Sequence, residues 1–338
     1  MRVVATEASS PRGATRRRAV PVVLTVLLLS LAIVGLTAGS SDLAPTDAMR
    51  AIFGLGDSAD AFIVQVLRLP RVVVATFAGA CLALSGAIMQ GLLRNPLASP
   101  DIVGVTGAAS IFTVLAIGAA AAPFMLPVAA GTGAVAGMLF LYLLSRRTSA
   151  SSMRLVLIGI GLQALTSAAV SLAVARIESN RLGAAEVWLA GSLHARNDLH
   201  MTVAVVGALI MVPVVFSLLD RLSALELGDD LATGIGVPVR GTRSALLVTS
   251  ALLAGIAVAV AGPITFLALG APHIARRLVG ATSAIMMATA ALVGAVMLLT
   301  ADIIGQHLLA DRAIPAGVIT AALGGPYLLW LLHRTGRR

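Results

Sequence analysis

The sequence predicts an all-α membrane protein with about ten transmembrane helices and an internal inverted repeat. Three observations carry this. First, the 338 residues are 58% hydrophobic and only 12% charged, whereas a soluble domain is roughly 25% charged. Too few charges remain to coat a water-facing surface of this size. Second, the apolar residues come in runs of about 20, the length that crosses ~30 Å of hydrocarbon at ~1.5 Å per residue. Third, the chain matches itself when shifted by 176 residues. Ala78, Gly79, Ala83, Gly86, Ile88, Leu93 and Pro96 then fall on Ala254, Gly255, Ala259, Gly262, Ile264, Leu269 and Pro272.

The apolar runs are continuous rather than alternating. That selects helices over barrel strands, the two structures that satisfy their backbone groups in lipid. The predicted spans are 19–39, 65–92, 101–121, 124–145, 153–175, 199–220, 244–262, 263–275, 281–300 and 314–333. The first follows Arg16, Arg17 and Arg18, an arrangement that also describes a secretory signal. Its length of about 21 residues exceeds the roughly 7–15 of a signal core, and further spans follow. It is read as a retained helix after a cytoplasmic tail of residues 1–18, with 19–338 forming one polytopic domain. The 263–275 segment is too short to cross alone and is read as a partial helix. Cys81 is the only cysteine, which excludes an internal disulfide. Its apolar surroundings give it a packing role.

A net charge of +9 would suit nucleic acid, but the positions of the charges argue against that partner. All 24 basic residues are Arg, and they cluster in the short segments between apolar runs. With both termini in the cytoplasm, 17 arginines lie inside and 7 outside, as the positive-inside rule requires. On this topology the first copy of the repeat runs inward and the second begins outward. Inverted repeats of this kind are a common transporter architecture.

The most informative inner segment is 223–243, SALELGDDLATGIGVPVRGTR. Leu225, Leu227, Leu231 and Ile235 recur at mostly helical spacing, which predicts a short amphipathic helix from Leu225 to about Ile235. Gly234 and Gly236 end it and Pro238 prevents its continuation. Glu226, Asp229 and Asp230 are expected to face water or a partner. Periodicity leaves two readings open, a surface loop or a helix that docks into a cytoplasmic partner.

Asn95-Pro96 and Pro272-His273 interrupt apolar runs, and such breaks either shape a pathway or mark the membrane edge. His273 has no second His or Cys at ligand spacing, so no metal site is predicted. Gly159 and Gly161 let neighbouring helices approach closely. Ion-coupled transporters need ionisable residues within the membrane, and here the nearest is Asp302, at a helix end. No zinc motif or Ser–base arrangement appears, so no catalytic residue is assigned. A phosphate-binding Walker loop requires a Lys after its glycines, and the chain has no Lys. It has no nucleotide site of that type.

Four stretches resemble one family in order. RLPRVVVATFAGACLALSGAIMQGLLRNPLASPDIVGV (68–105), LELGDDLATGIGV, GPITFLALGAPHIARRLVG (262–280) and ADIIGQHLLADRAIPAGVITAALGGPYLLWLL (301–332) are similar to motifs of FecCD-type permeases. These belong to iron-siderophore and cobalamin ABC importers. SPDIVG and GGPYLLWLL look more like the siderophore members. The resemblance implies a multi-pass permease of the bacterial cytoplasmic membrane that moves ferric siderophore, with haem or cobalamin as the alternative cargo. It implies ten helices per permease and pairing with a second one, a heterodimer being favoured over a homodimer. Two ATP-binding-cassette ATPase subunits would supply the Mg-ATP chemistry, leaving this chain without a cofactor, and an extracytoplasmic binding protein would deliver substrate.

The same resemblance makes Leu225, Glu226, Leu227, Gly228, Asp229, Asp230, Leu231, Ile235 and Gly236 the coupling segment. It makes Arg68 and Arg71 docking residues for the binding protein, where the alternative is two arginines snorkelling to the interface. A further docking base of the family's C-terminal motif is replaced here by Gln306, leaving Arg312 as a candidate substitute. The fifth span, with Gly159 and Gly161, would border the translocation path. Asn95, Pro96, Pro272 and His273 stand as gate candidates.

Overall fold

A computed structural model describes residues 11–38, 43–55, 57–146, 152–308 and 313–335. Within them the chain is helical, with no strand. Every predicted span contains a helix. The first is α1 (Pro11–Thr37), which begins eight residues before the predicted span. Two short helices not foreseen follow, α2 (Pro45–Ile52) and α3 (Ser58–Phe62). A π-helical turn, Ile63–Arg68, then runs into α4 (Leu69–Leu93). Next come α5 (Val105–Gly118), α6 (Leu126–Arg146) and α7 (Ser152–Val174). An unforeseen α8 (Ser179–Leu189) precedes α9 (Asp198–Ser217). The short α10 (Leu219–Glu226) and α11 (Asp229–Gly234) lead to α12 (Val239–Ala261). The chain closes with α13 (Leu267–Val279), α14 (Ala284–His307) and α15 (Ala316–Thr335). Seven of these helices are long and apolar enough to cross a membrane: α1, α4, α6, α7, α9, α12 and α14.

The centre of the bundle is α4, which packs on α9, α12, α13 and α14. Small residues permit this. A methyl group on Gly79 would fall on the Gly294 carbonyl, and one on Gly86 would fall on that of Ala268. Backbones can meet at such points only where no Cβ intervenes. Two serines of this core pair with each other. Ser85 Oγ donates to the Ser250 carbonyl at 2.6 Å, and Ser250 Oγ donates to the Ser85 carbonyl at 3.1 Å. The bond joins α4 to α12, the two helices that carry the repeated sequence. Away from the core, Val22, Val23, Val26 and Leu29 of α1 and Val206, Leu209 and Ile210 of α9 are exposed. Apolar side chains turned outward in this number suit a hydrocarbon surround.

The second copy of the repeat breaks where the first does not, and the break lies elsewhere than predicted. Residues 262–266 are non-helical, with φ +76° at Gly262 and +71° at Phe266, whereas Pro272 lies inside α13. Proline tolerates this position because α4 accommodates it. Pro272 has no N–H for the Ala268 carbonyl, and Gly86 leaves room for that carbonyl. Gln90 Nε2 donates to the next one, Leu269, at 3.0 Å. Positive φ at Phe266 is costly for a side-chain-bearing residue. Its ring is held against Gly270 and Gly324 and lies edge-on to Tyr327 at 5.8 Å.

Candidate functional site

Candidate residues gather at the two ends of the bundle. At one end lies the predicted coupling segment, which is two helices rather than one. Gly228 separates α10 from α11 with φ +121°, a conformation open to glycine and strained for any other residue. The break divides the leucine stripe. Leu225 turns into the core and is 2% exposed, while Leu227, Leu231 and Ile235 are 67%, 61% and 67% exposed. Leu227 caps the end of α10, Leu231 lies in α11 and Ile235 caps the end of α11, and all three are uncovered. Gly236, with φ +84°, turns the chain towards α12.

The acidic residues do not all face outward, contrary to the expectation from sequence. Asp230 is exposed. Glu226 accepts from Thr282 Oγ1 at 2.7 Å and pairs with Arg276 of α13 at 3.4 Å. Asp229 receives Arg243 Nη2 of α12 at 3.0 Å on each carboxylate oxygen. It also pairs with Arg94 Nη2 at 3.4 Å. Arg94 is the left-handed C-cap of α4, with φ +51°. Asn95 follows it, and its Oδ1 accepts the Leu97 amide at 2.9 Å in a local turn. The Asn95-Pro96 candidate is therefore a helix end placed beside the coupling segment.

His273 stands apart on α13, edge-on to Tyr327 at 6.1 Å, and its Nε2 is buried with no hydrogen-bond partner among the described residues. Gly159 is buried on α7, and Gly161, two residues on, opens onto free space.

At the other end, arginines surround a cavity of about 430 Å³ lined by Arg68, Arg71, His194, Arg196, Asp302 and Gln306. Arg68 Nη1 donates to the Leu36 and Thr37 carbonyls at 2.8 and 2.7 Å, closing the C-terminus of α1. Arg71 grips Asp302 through a fork, Nε to Oδ2 at 2.7 Å and Nη2 to Oδ1 at 2.8 Å. Two parallel charge-assisted bonds of this kind fix orientation as well as charge. Gln306 Nε2 adds a third donor to Asp302, at 2.9 Å. The position that departs from the family's docking base is thus occupied in holding Asp302. Arg312 lies outside the described residues.

Sequence reasoning missed Arg196 as a member of this cluster. Its Nε donates to the Ser192 carbonyl at 3.2 Å, and Nη1 meets His200 Nε2 at 3.2 Å. Burial, and then the neighbouring Arg71, push its guanidinium down to about 10, against the pull of Asp302. One signal was available. Asp302 is an acidic residue at the end of a long apolar run, and such a residue requires a partner. What the sequence could not show is that the partner is Arg71, 231 positions away.

Comparison with known proteins places these features in a family. A model of the FecCD transport family matches residues 26–334. The Fe(3+)-citrate import system permease protein YfmE of Bacillus subtilis is 38% identical over 318 residues, covering 94% of this chain and 95% of that protein. The ferric enterobactin transport system permease protein FepG of Escherichia coli is 36% identical over 318 residues, covering 93% and 96%. A chain solved as a metal-chelate type ABC transporter in an inward-facing conformation superposes with a TM-score of 0.84 at 30% identity. The match covers 94% of this chain and 99% of that one.

Proposed function

The chain belongs to the FecCD transport family, and on that premise we propose that it is the permease subunit of an ATP-binding-cassette importer for ferric siderophores. The observation that carries the motor half of this reading is that Leu227, Leu231 and Ile235 are uncovered. A short helical segment bearing such residues suits burial in a partner's groove. The chain also lacks the lysine that a Walker loop needs, so hydrolysis falls to separate ATPase subunits. The cargo half rests on the relatives, whose names specify ferric citrate and ferric enterobactin.

In this reading the α10–α11 end and both termini face the cytoplasm, in the cytoplasmic membrane, as the arginine asymmetry requires. The arginine-rich cavity then faces outward. Three arginines against one carboxylate leave it positive, which favours acidic side chains of a binding protein in register with Arg68 and Arg71. The exposed small-residue face of α7 around Gly161 is assigned to the path and to a second, different permease. The test is ATP-driven import into proteoliposomes that hold the chain with its co-purifying neighbours, with radiolabelled ferric hydroxamate, ferric catecholate and ferric citrate as probes. Import that follows an ion gradient and ignores ATP would overturn the importer reading. A preference for haem or cobalamin over every ferric chelate would overturn the cargo.

A further inference from the structure

We propose that Glu226 and Asp229 are internal anchors of the coupling segment, positioning residues that deliver the motor's push to four helices. This rests on the reading that an ATPase docks on α10 and α11. Sequence position alone would make both carboxylates motor contacts, and the geometry points elsewhere.

The two residues flank the break at Leu227-Gly228. Glu226, at the end of α10, is tied to Arg276 near the end of α13 and to Thr282 in the turn before α14. Arg276 Nη1 also donates to Thr282 Oγ1 at 2.9 Å, which closes the triangle. Asp229, the first residue of α11, is tied to Arg243 in the first turns of α12 and to Arg94 at the end of α4. The side chain of Arg243 is 12% exposed and that of Asp229 44%, so the bond is buried on the arginine side and open to water on the carboxylate side. The apolar residues facing outward are Leu227, Leu231 and Ile235. Docking surface and anchors thus occupy different sides of one short segment. A flexible joint at Gly228 would otherwise let α11 swing without moving the bundle. The anchors prevent this, because displacing α11 pulls on Arg243 and Arg94 while displacing α10 pulls on Arg276. Arg94 adjoins Asn95-Pro96 at the end of α4, and its pair with Asp229 is exposed on both sides, at 43% and 44%, so it contributes less than Arg243.

The experiment uses the complete transporter in proteoliposomes, with ferric citrate or ferric catecholate as probe. It reads ATPase subunits retained on purification, ATP hydrolysed and iron imported. Asp229→Asn and Glu226→Gln should keep their ATPase subunits and continue to hydrolyse ATP. Iron imported per ATP should fall on the order of fivefold or more, the lower range of coupling between sites. Arg243→Gln should behave like Asp229→Asn. Arg243→Lys, which preserves the charge, should recover most of the loss, a rescue that guards against a folding artefact. Unchanged iron per ATP in both carboxamide variants overturns the anchors. Loss of ATPase subunits from Asp229→Asn makes that residue a motor contact, which overturns the anchors and leaves the docking reading standing. A wild-type chain that retains no ATPase overturns both.

Discussion

Replacing Asp302 by Ala tests the Arg71–Asp302 cluster most sharply. The carboxylate side chain is 3% exposed and receives two bonds from Arg71 at 2.7 and 2.8 Å and one from Gln306 at 2.9 Å. Removing one partner of a buried pair costs ~3–5 kcal/mol, because the other charge stays buried without compensation. The Arg71 side chain is 17% exposed and lines the cavity, so water can reach the guanidinium. That lowers the expected cost of Asp302→Ala to about 2–3 kcal/mol. Arg71→Ala strands the more deeply buried partner with only Gln306 and should cost somewhat more, ~3–4 kcal/mol. Replacing both by apolar groups of similar length, R71M with D302L, removes the charges together and should lie within ~1 kcal/mol of wild type. The cost of the double variant is thus far below the sum of the singles, a non-additivity expected only of groups in contact. The assay is the thermal unfolding midpoint of purified permease in detergent, beside its abundance in membranes. A double variant that unfolds at or below the weaker single variant would refute the pairing.

Leu231→Asp places a charge on the exposed apolar face. The variant should insert normally yet lose ATPase subunits and iron uptake, at a cost of a few kcal/mol in the contact; full ATPase retention with normal uptake would contradict a docking role there. Gly86→Val should keep the permease from accumulating in membranes, because its side chain would fall on the Ala268 carbonyl; immunodetection in membrane fractions checks this, and wild-type levels would mean that α4 and α13 are less closely packed. Single cysteines at residues 8 and 336, in a variant lacking Cys81, should resist an impermeant thiol reagent in intact cells and react in inverted vesicles. Labelling of either site in intact cells would reverse the assigned orientation.

The amino-acid sequence by itself determined where the long apolar helices are, and missed the short α2, α3 and α8. Apolar run length is a local property, and hydrocarbon leaves the backbone no other way to satisfy itself, so each of the ten predicted segments contains a helix. The sequence also picked out 223–243 as a distinct polar segment and excluded a Walker-type nucleotide site, again from residue types within single stretches. Tertiary structure decided which side chains meet. Arg71 and Asp302 are far apart in the chain and pair because α4 and α14 are neighbours. Residue type places Glu226 and Asp229 towards water or a partner, yet arginines from α12, α13 and the end of α4 reach them. Leu225 and Leu227 lie two positions apart at the end of α10 and so face opposite ways, and Gly228, at φ +121°, then sets α11 in a new direction. Pro272 stayed within a helix because Gly86 and Gln90 of α4 receive the carbonyls it disturbs. In each case the deciding free energy lies in a contact between helices, and helical periodicity carries no information about which helix will be the neighbour.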